Sequence, residues 1–156
     1  MKKLIFIGLT ATLAACQSGP SPRGGLPTIR AASNAQTVQI KASPEVVRNT
    51  LVSSANAKGT IVQQNELNMV VMESYVRGRD PVLDSEFGPS DSGERAYRIR
   101  VRFSGSQCHT TAVQDVALIN NIYTPDERSF SLPGNPGLTR SLQSMKANAE
   151  ASSGCS

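Results

Sequence analysis

One stretch restricts this chain more than any other. From Arg95 to Ser104, Tyr97, Ile99, Val101 and Phe103 fall on one parity, and Arg98, Arg100 and Arg102 fall on the other. Successive side chains of a strand point to opposite faces, so the alternation predicts a strand with one face in an apolar core and the other turned outward. A helix would scatter the same residues around its circumference. Three guanidinium groups repeating every ~6.8 Å along one face repel each other, so something anionic must offset them. Two sources are open. Acids on neighbouring strands, such as Glu73 or Asp115, are one. An anionic partner is the other: an acidic protein surface, lipopolysaccharide phosphates or lipid headgroups.

The elements around that strand follow from local signals. Thr37 to Lys41 alternates and predicts a strand with Val38 and Ile40 inward. Ser43-Pro44-Glu45 reads as N-cap, first helical position and first-turn acid of a helix that buries Val47, Leu51 and Ala55 and stops at Gly59. Strands are expected over Thr60 to Gln64 and Asn68 to Val76, joined by a turn at Asn65-Glu66. A turn at Gly105 to Gln107 leads into a strand from Thr110 to Ile119, whose apolar phase slips between Val113 and Val116 and suggests a bulge near Gln114 or Asp115. Asn135-Pro136 repeats the cap-plus-proline device before a closing helix carrying Leu138, Leu142, Met145 and Ala149. The order βαββββα predicts an α+β fold, a two-layer sandwich in which a mainly antiparallel sheet of about five strands carries two helices on one face. The domain is expected over residues 37–151, with a short tail at 152–156.

The N-terminus points to export. Met1-Lys2-Lys3, the apolar run Leu4 to Leu13 and small residues before a cut site form the pattern of a signal peptide over residues 1–15, too short to span a bilayer. Leu13-Ala14-Ala15-Cys16 resembles the lipobox of bacterial lipoproteins. That resemblance implies a Cys16 joined to diacylglycerol and acylated at its new amine. Two or more acyl chains, at about 0.8 kcal/mol per buried CH₂, hold a protein on a membrane. Gln17, where Asp favours inner-membrane retention in enteric bacteria, implies the periplasmic face of the cell outer membrane. The Pro, Gly and Ser content up to Gln36 reads as a tether over residues 16–36, with a reach of roughly 25 Å as a coil of about 20 residues.

Charge and chemistry exclude more than they select. The precursor carries 16 Lys+Arg against 12 Asp+Glu, or +4; losing Lys2 and Lys3 would leave +2. That is too mild for a nucleic-acid binder, and no aromatic shares the arginine face. His109 is the one histidine and reads as a solvent-facing strand residue. Gly88 to Ser92 lacks the final glycine of a nucleophile elbow, so no catalytic residue is assigned and the chain is not read as an enzyme. No metal or cofactor is expected. The segment Arg77 to Glu94 holds five acids without EF-hand spacing. It reads as a solvated loop, a docking segment, or a loop folded onto the arginine ridge. With Cys16 lipidated, Cys108 and Cys155 remain as an even pair that forms a disulfide, stays as two thiols, or bonds a partner.

The front of the body, SPEVVRNTLVSSANAKGTIVQQN, and its element order are similar to small periplasmic domains of envelope-machine lipoproteins. These include the BamC lipoprotein of the β-barrel assembly machinery and the ring-forming domains of secretin and type IV secretion lipoproteins. The likeness is one of element order and carries no functional residue across. It implies a non-catalytic adaptor or accessory subunit of a secretion or outer-membrane assembly complex. That adaptor would be joined to the membrane by its lipid and to its partner by an exposed sheet edge or by Arg98, Arg100 and Arg102. The competing reading is a binder of envelope glycolipid, peptidoglycan or a small ligand, which needs an apolar pocket between helix and sheet.

Overall fold

The computed structural model describes residues 35–155. Its elements are β1 (Gln36–Ile40), α1 (Pro44–Ala57), β2 (Ile61–Glu66), β3 (Met69–Val76), α2 (Pro81–Phe87), β4 (Arg95–Ser106), β5 (His109–Asn120), β6 (Arg128–Leu132) and α3 (Pro136–Ser152). The proposed signal peptide, Cys16 and most of the tether lie outside the described residues. All strand pairs are antiparallel, in the order β1-β5-β4-β3-β2, with β6 also on β5. β1 takes the first half of β5 and β6 the second, so two short strands share one flank of a long one. With α1 and α3 packed on one face, this is the α+β two-layer arrangement expected from the sequence.

Local chemistry sets the helices. Ser43 Oγ accepts from the Val46 N–H at 3.2 Å, and Asn135 Oδ1 accepts from the Leu138 N–H at 3.0 Å. Each cap satisfies an amide that the first turn leaves without an intrahelical partner. α1 buries Val47, Leu51 and Ala55, and α3 buries Leu142, Met145 and Ala149. These stripes meet Val38 and Ile40 of β1, Val70 and Met72 of β3, Val101 and Phe103 of β4, and Ala112 of β5 in one core. Each fully buried large member, such as Ile40 or Phe103, contributes about 1.5–3 kcal/mol relative to exposure. At the core's edge, the buried Thr110 hydroxyl donates to the Ala42 carbonyl at 2.7 Å. A disulfide joins Cys108, in the β4–β5 turn, to Cys155 beyond α3.

The structure departs from the sequence expectation in several places, one of them the β2–β3 turn, which falls at Leu67-Asn68 because Asn65 and Glu66 still pair within the sheet. Among the described residues there are six strands and three helices. β6 escapes notice because RSFSL holds a single large apolar pair and sits between prolines. α2 lies inside the segment taken for a loop and buries no residue, so it has no apolar stripe to reveal it. The β4–β5 register runs unbroken through Gln114 and Asp115, so no bulge lies there. Val113 and Val116 are both buried, on opposite faces of β5, Val113 beside Arg102 and Val116 beside Ile99. The shift in register falls in β2, between Val62 and Gln64. The β4–β5 hairpin is also tighter than expected, pairing Ser106 with His109 around Gln107-Cys108. Gly105 has φ +139°, and a Cβ there would run into the His109 backbone, so only glycine suits this close approach.

Candidate functional site on the helix-free sheet face

Register decides what stands opposite each arginine. Arg98 lies across from Glu73 of β3 and Ala117 of β5, Arg100 from Val71 and Asp115, and Arg102 from Met69 and Val113. All three face away from α1 and α3. Arg98 Nε donates to Glu73 Oε1 at 2.6 Å, and its Nη1 donates to Glu127 Oε1 at 3.2 Å. Arg100 Nε and Nη2 donate to Asp115 Oδ1 and Oδ2 at 2.9 and 3.2 Å. Arg102 Nη2 reaches Asp115 Oδ2 at 3.4 Å. Three guanidinium groups thus meet three carboxylates, two of them the cross-strand acids that the sequence names. The ridge is paired within the fold.

Glu73 is the centre of the face. Its side chain is 1% exposed, where a bare carboxylate would be costly. Its two oxygens accept from Arg98, from Gln63 Nε2 at 2.9 Å and from the Tyr123 hydroxyl at 2.6 Å. Gln63 is the residue at which the β2 register shifts. Tyr123 comes from the β5–β6 connection, where Asn121 (φ +52°) and Tyr123 (φ +62°) both adopt the left-handed backbone that side chains disfavour. Asn121 is held by Ser92 and Asp126 through its amide and by Ser90 through its N–H. The Tyr123 N–H donates to Glu127 Oε2 at 2.9 Å, so Glu127 ties this backbone to Arg98. Burial, then the hydrogen bond and charge of Glu73, push the Tyr123 hydroxyl far above the ordinary tyrosine range. For Arg98, burial opposes the charged form, but Glu73 and Glu127 outweigh it and raise the guanidinium above its ordinary value.

The face is concave, with a volume of about 570 Å³. Gln63, Gln64, Met69, Val71 and Tyr123 line it around the Arg98–Glu73 and Arg100–Asp115 pairs. On the opposite side, the space between α1, α3 and the sheet is about 100 Å³. The acidic segment before β4 does not reach the ridge. Its Asp84 pairs with Arg79 at 2.9 Å and with the buried Arg95 at 3.0 Å. His109 is exposed at the start of β5, and the Cys108–Cys155 bond lies away from the concavity. Among the described residues, no group of three or more His, Cys, Asp or Glu is placed to hold a metal ion, and no helix is long and apolar enough to cross a membrane.

Sequence reasoning names Arg98, Arg100 and Arg102 with their acids Glu73 and Asp115. It does not name Gln63, Tyr123 or Glu127, which reach the face through a bulge and a left-handed turn. Among the described residues, the two non-glycine left-handed ones lie in NNIYT, which carries no turn signature of its own.

No protein-family model and no curated protein matches the sequence. Among solved structures, a TBP-like protein from Parabacteroides distasonis ATCC 8503 is similar at TM-score 0.31 and 14% identity, over 62% of this chain and 63% of that one.

Proposed function

We propose that this is a lipid-anchored lipoprotein of the periplasmic face of the outer membrane. In this reading it acts as a non-catalytic adaptor or accessory subunit of a secretion or outer-membrane assembly complex. The observation that carries the reading is the cysteine pairing. Cys108 and Cys155 are bonded to each other, so of three cysteines Cys16 remains, at the end of a lipobox-like Leu13-Ala14-Ala15-Cys16. Structural disulfides belong to oxidising compartments, which is where a lipobox would send the chain.

For docking, the edge of the sheet is better suited than the ridge. The arginines already have carboxylate partners, so an anionic protein would have to compete with Glu73, Glu127 and Asp115. β2 ends the sheet, and Ile61 and Leu67 at its two ends are 46% and 75% exposed. An edge strand flanked by apolar side chains suits strand addition by a partner. The space between helices and sheet falls below the roughly 300–1,000 Å³ of small-molecule pockets, which favours the adaptor over a ligand carried there.

Metabolic fatty-acid label is expected in the wild-type protein and absent from Cys16→Ala; label persisting in that variant overturns the anchor. Mild crosslinking in native envelopes followed by purification is expected to return a stoichiometric protein complex. Recovery of the protein without a constant protein companion overturns the adaptor.

A further inference from the structure

We infer that the concavity on the helix-free face is a binding site for a neutral, polyhydroxylated ligand, namely a short oligosaccharide. Three features of the site point to that class. The first is charge. The lining holds Arg98 and Arg100 against Glu73 and Asp115, each cation already bonded to an acid at 2.6 or 2.9 Å. An anion drawn to Arg100 meets Asp115 at the same guanidinium, and a cation drawn to Asp115 meets Arg100. A hydroxyl escapes this conflict, because it both donates and accepts and can bridge a guanidinium and a carboxylate at once.

The second feature is the set of polar groups beside those pairs. Gln64 lines the concavity, and its side chain has no hydrogen-bond partner among the described residues. It offers one acceptor and two donors. The Arg100 side chain is 49% exposed with Nη1 beyond its bonds to Asp115. The third feature is Tyr123. It lines the same concavity and is 62% exposed, yet it is held at both ends, by its hydroxyl on Glu73 and its N–H on Glu127. An exposed aromatic ring fixed without a ligand is a prepared surface for the C–H face of a sugar. Met69 and Val71 supply the remaining apolar lining. The volume of about 570 Å³ lies within the roughly 300–1,000 Å³ range of small-molecule sites.

This inference does not depend on the lipid anchor or on a protein partner. The test uses the full chain in detergent micelles, with maltotriose and the N-acetylglucosamine trimer as neutral probes and a sulfated form of that trimer as the anionic one. Binding is followed by calorimetry and by tyrosine emission, since the chain has three Tyr and no Trp. At least one neutral probe should saturate, with an affinity that changes less than about twofold between low and high salt. Tyr123→Ala and Gln64→Ala should each weaken it by about tenfold, or 1.4 kcal/mol. Tyr123→Ala also removes a donor from buried Glu73, so Gln64→Ala is the variant that separates binding from folding. The inference is overturned if neither neutral probe saturates, or if Gln64→Ala binds as the wild type does. Tight, salt-steep binding of the sulfated trimer in place of the neutral ones also overturns it.

Discussion

Burying a carboxylate is tolerable only where donors replace its water, and Glu73 has three of them on its two oxygens. One donor, Tyr123, gives the arrangement a pH signature. Burial and the Glu73 carboxylate disfavour the phenolate in the folded state, so its pKa there lies above the unfolded value of about 10. The sign follows from linkage: the contribution is whole below about pH 10 and is lost as pH rises beyond it. Phenolate absorbance should therefore show a late-titrating tyrosine that Tyr123→Phe removes, and the variant should lose less stability than the wild type as pH is raised above 10. A late-titrating tyrosine that persists in Tyr123→Phe, with an ordinary one lost instead, would show that the hydroxyl does not rest on Glu73. At this scale, Glu73 and Asp115 were legible as candidate partners of the arginines from strand parity, while the register that sets them opposite Arg98 and Arg100 was not. Tyr123 and Gln63 were not, because their positions depend on backbone departures that have no residue pattern.

Among the elements, α1 and α3 were readable because their signals are local: a cap, a proline and a four-residue apolar spacing. α2 carries the same device at Asp80-Pro81, with Asp80 Oδ1 accepting from the Val82 and Leu83 N–H groups. It lacks the apolar stripe, and the device alone does not distinguish a seven-residue helix from a turn. What keeps α2 in place is a buried polar clamp. Arg95 pairs with Asp84 at 3.0 Å and donates to Asn120 Oδ1 at 2.7 Å and to the Gly88 carbonyl at 2.6 Å. The Asn120 amide donates to Phe87 and Gly88 carbonyls, and Phe87 packs on Phe130 of β6 at 5.4 Å. Arg95→Met should cost about 2–4 kcal/mol by leaving these groups unpaired. It should also speed tryptic cleavage at Arg77 and Arg79. Cleavage at the wild-type rate would mean that the clamp does not hold the segment.

For the whole molecule, the long-range fastening is the Cys108–Cys155 bond, which closes a separation of 47 residues. It joins the β4–β5 hairpin to the chain beyond α3; α3 itself is tied to β1 by Lys146 Nζ on the Gln39 carbonyl, and just past β1 the Lys41 N–H donates to Glu150. Chain entropy puts the stabilisation near 4 kcal/mol as an upper figure. The double variant Cys108→Ser, Cys155→Ser should lose about 2–4 kcal/mol in denaturant unfolding, matched by reduction of the wild type. A loss on reduction that the double variant does not reproduce would assign the effect to something else.

By itself, the sequence determined the fold class, the faces of β4 and the starts of α1 and α3, since parity, caps and apolar spacing act over a few residues. It also limited the cysteines to a few pairings without choosing one. Only the tertiary structure decided that Cys108 meets Cys155 and that the arginine ridge is neutral. It also decided that the acidic segment turns to Arg95 and that Tyr123 lies over Glu73. Those outcomes depend on strand register and on left-handed turns, which are set by contacts between residues tens of positions apart.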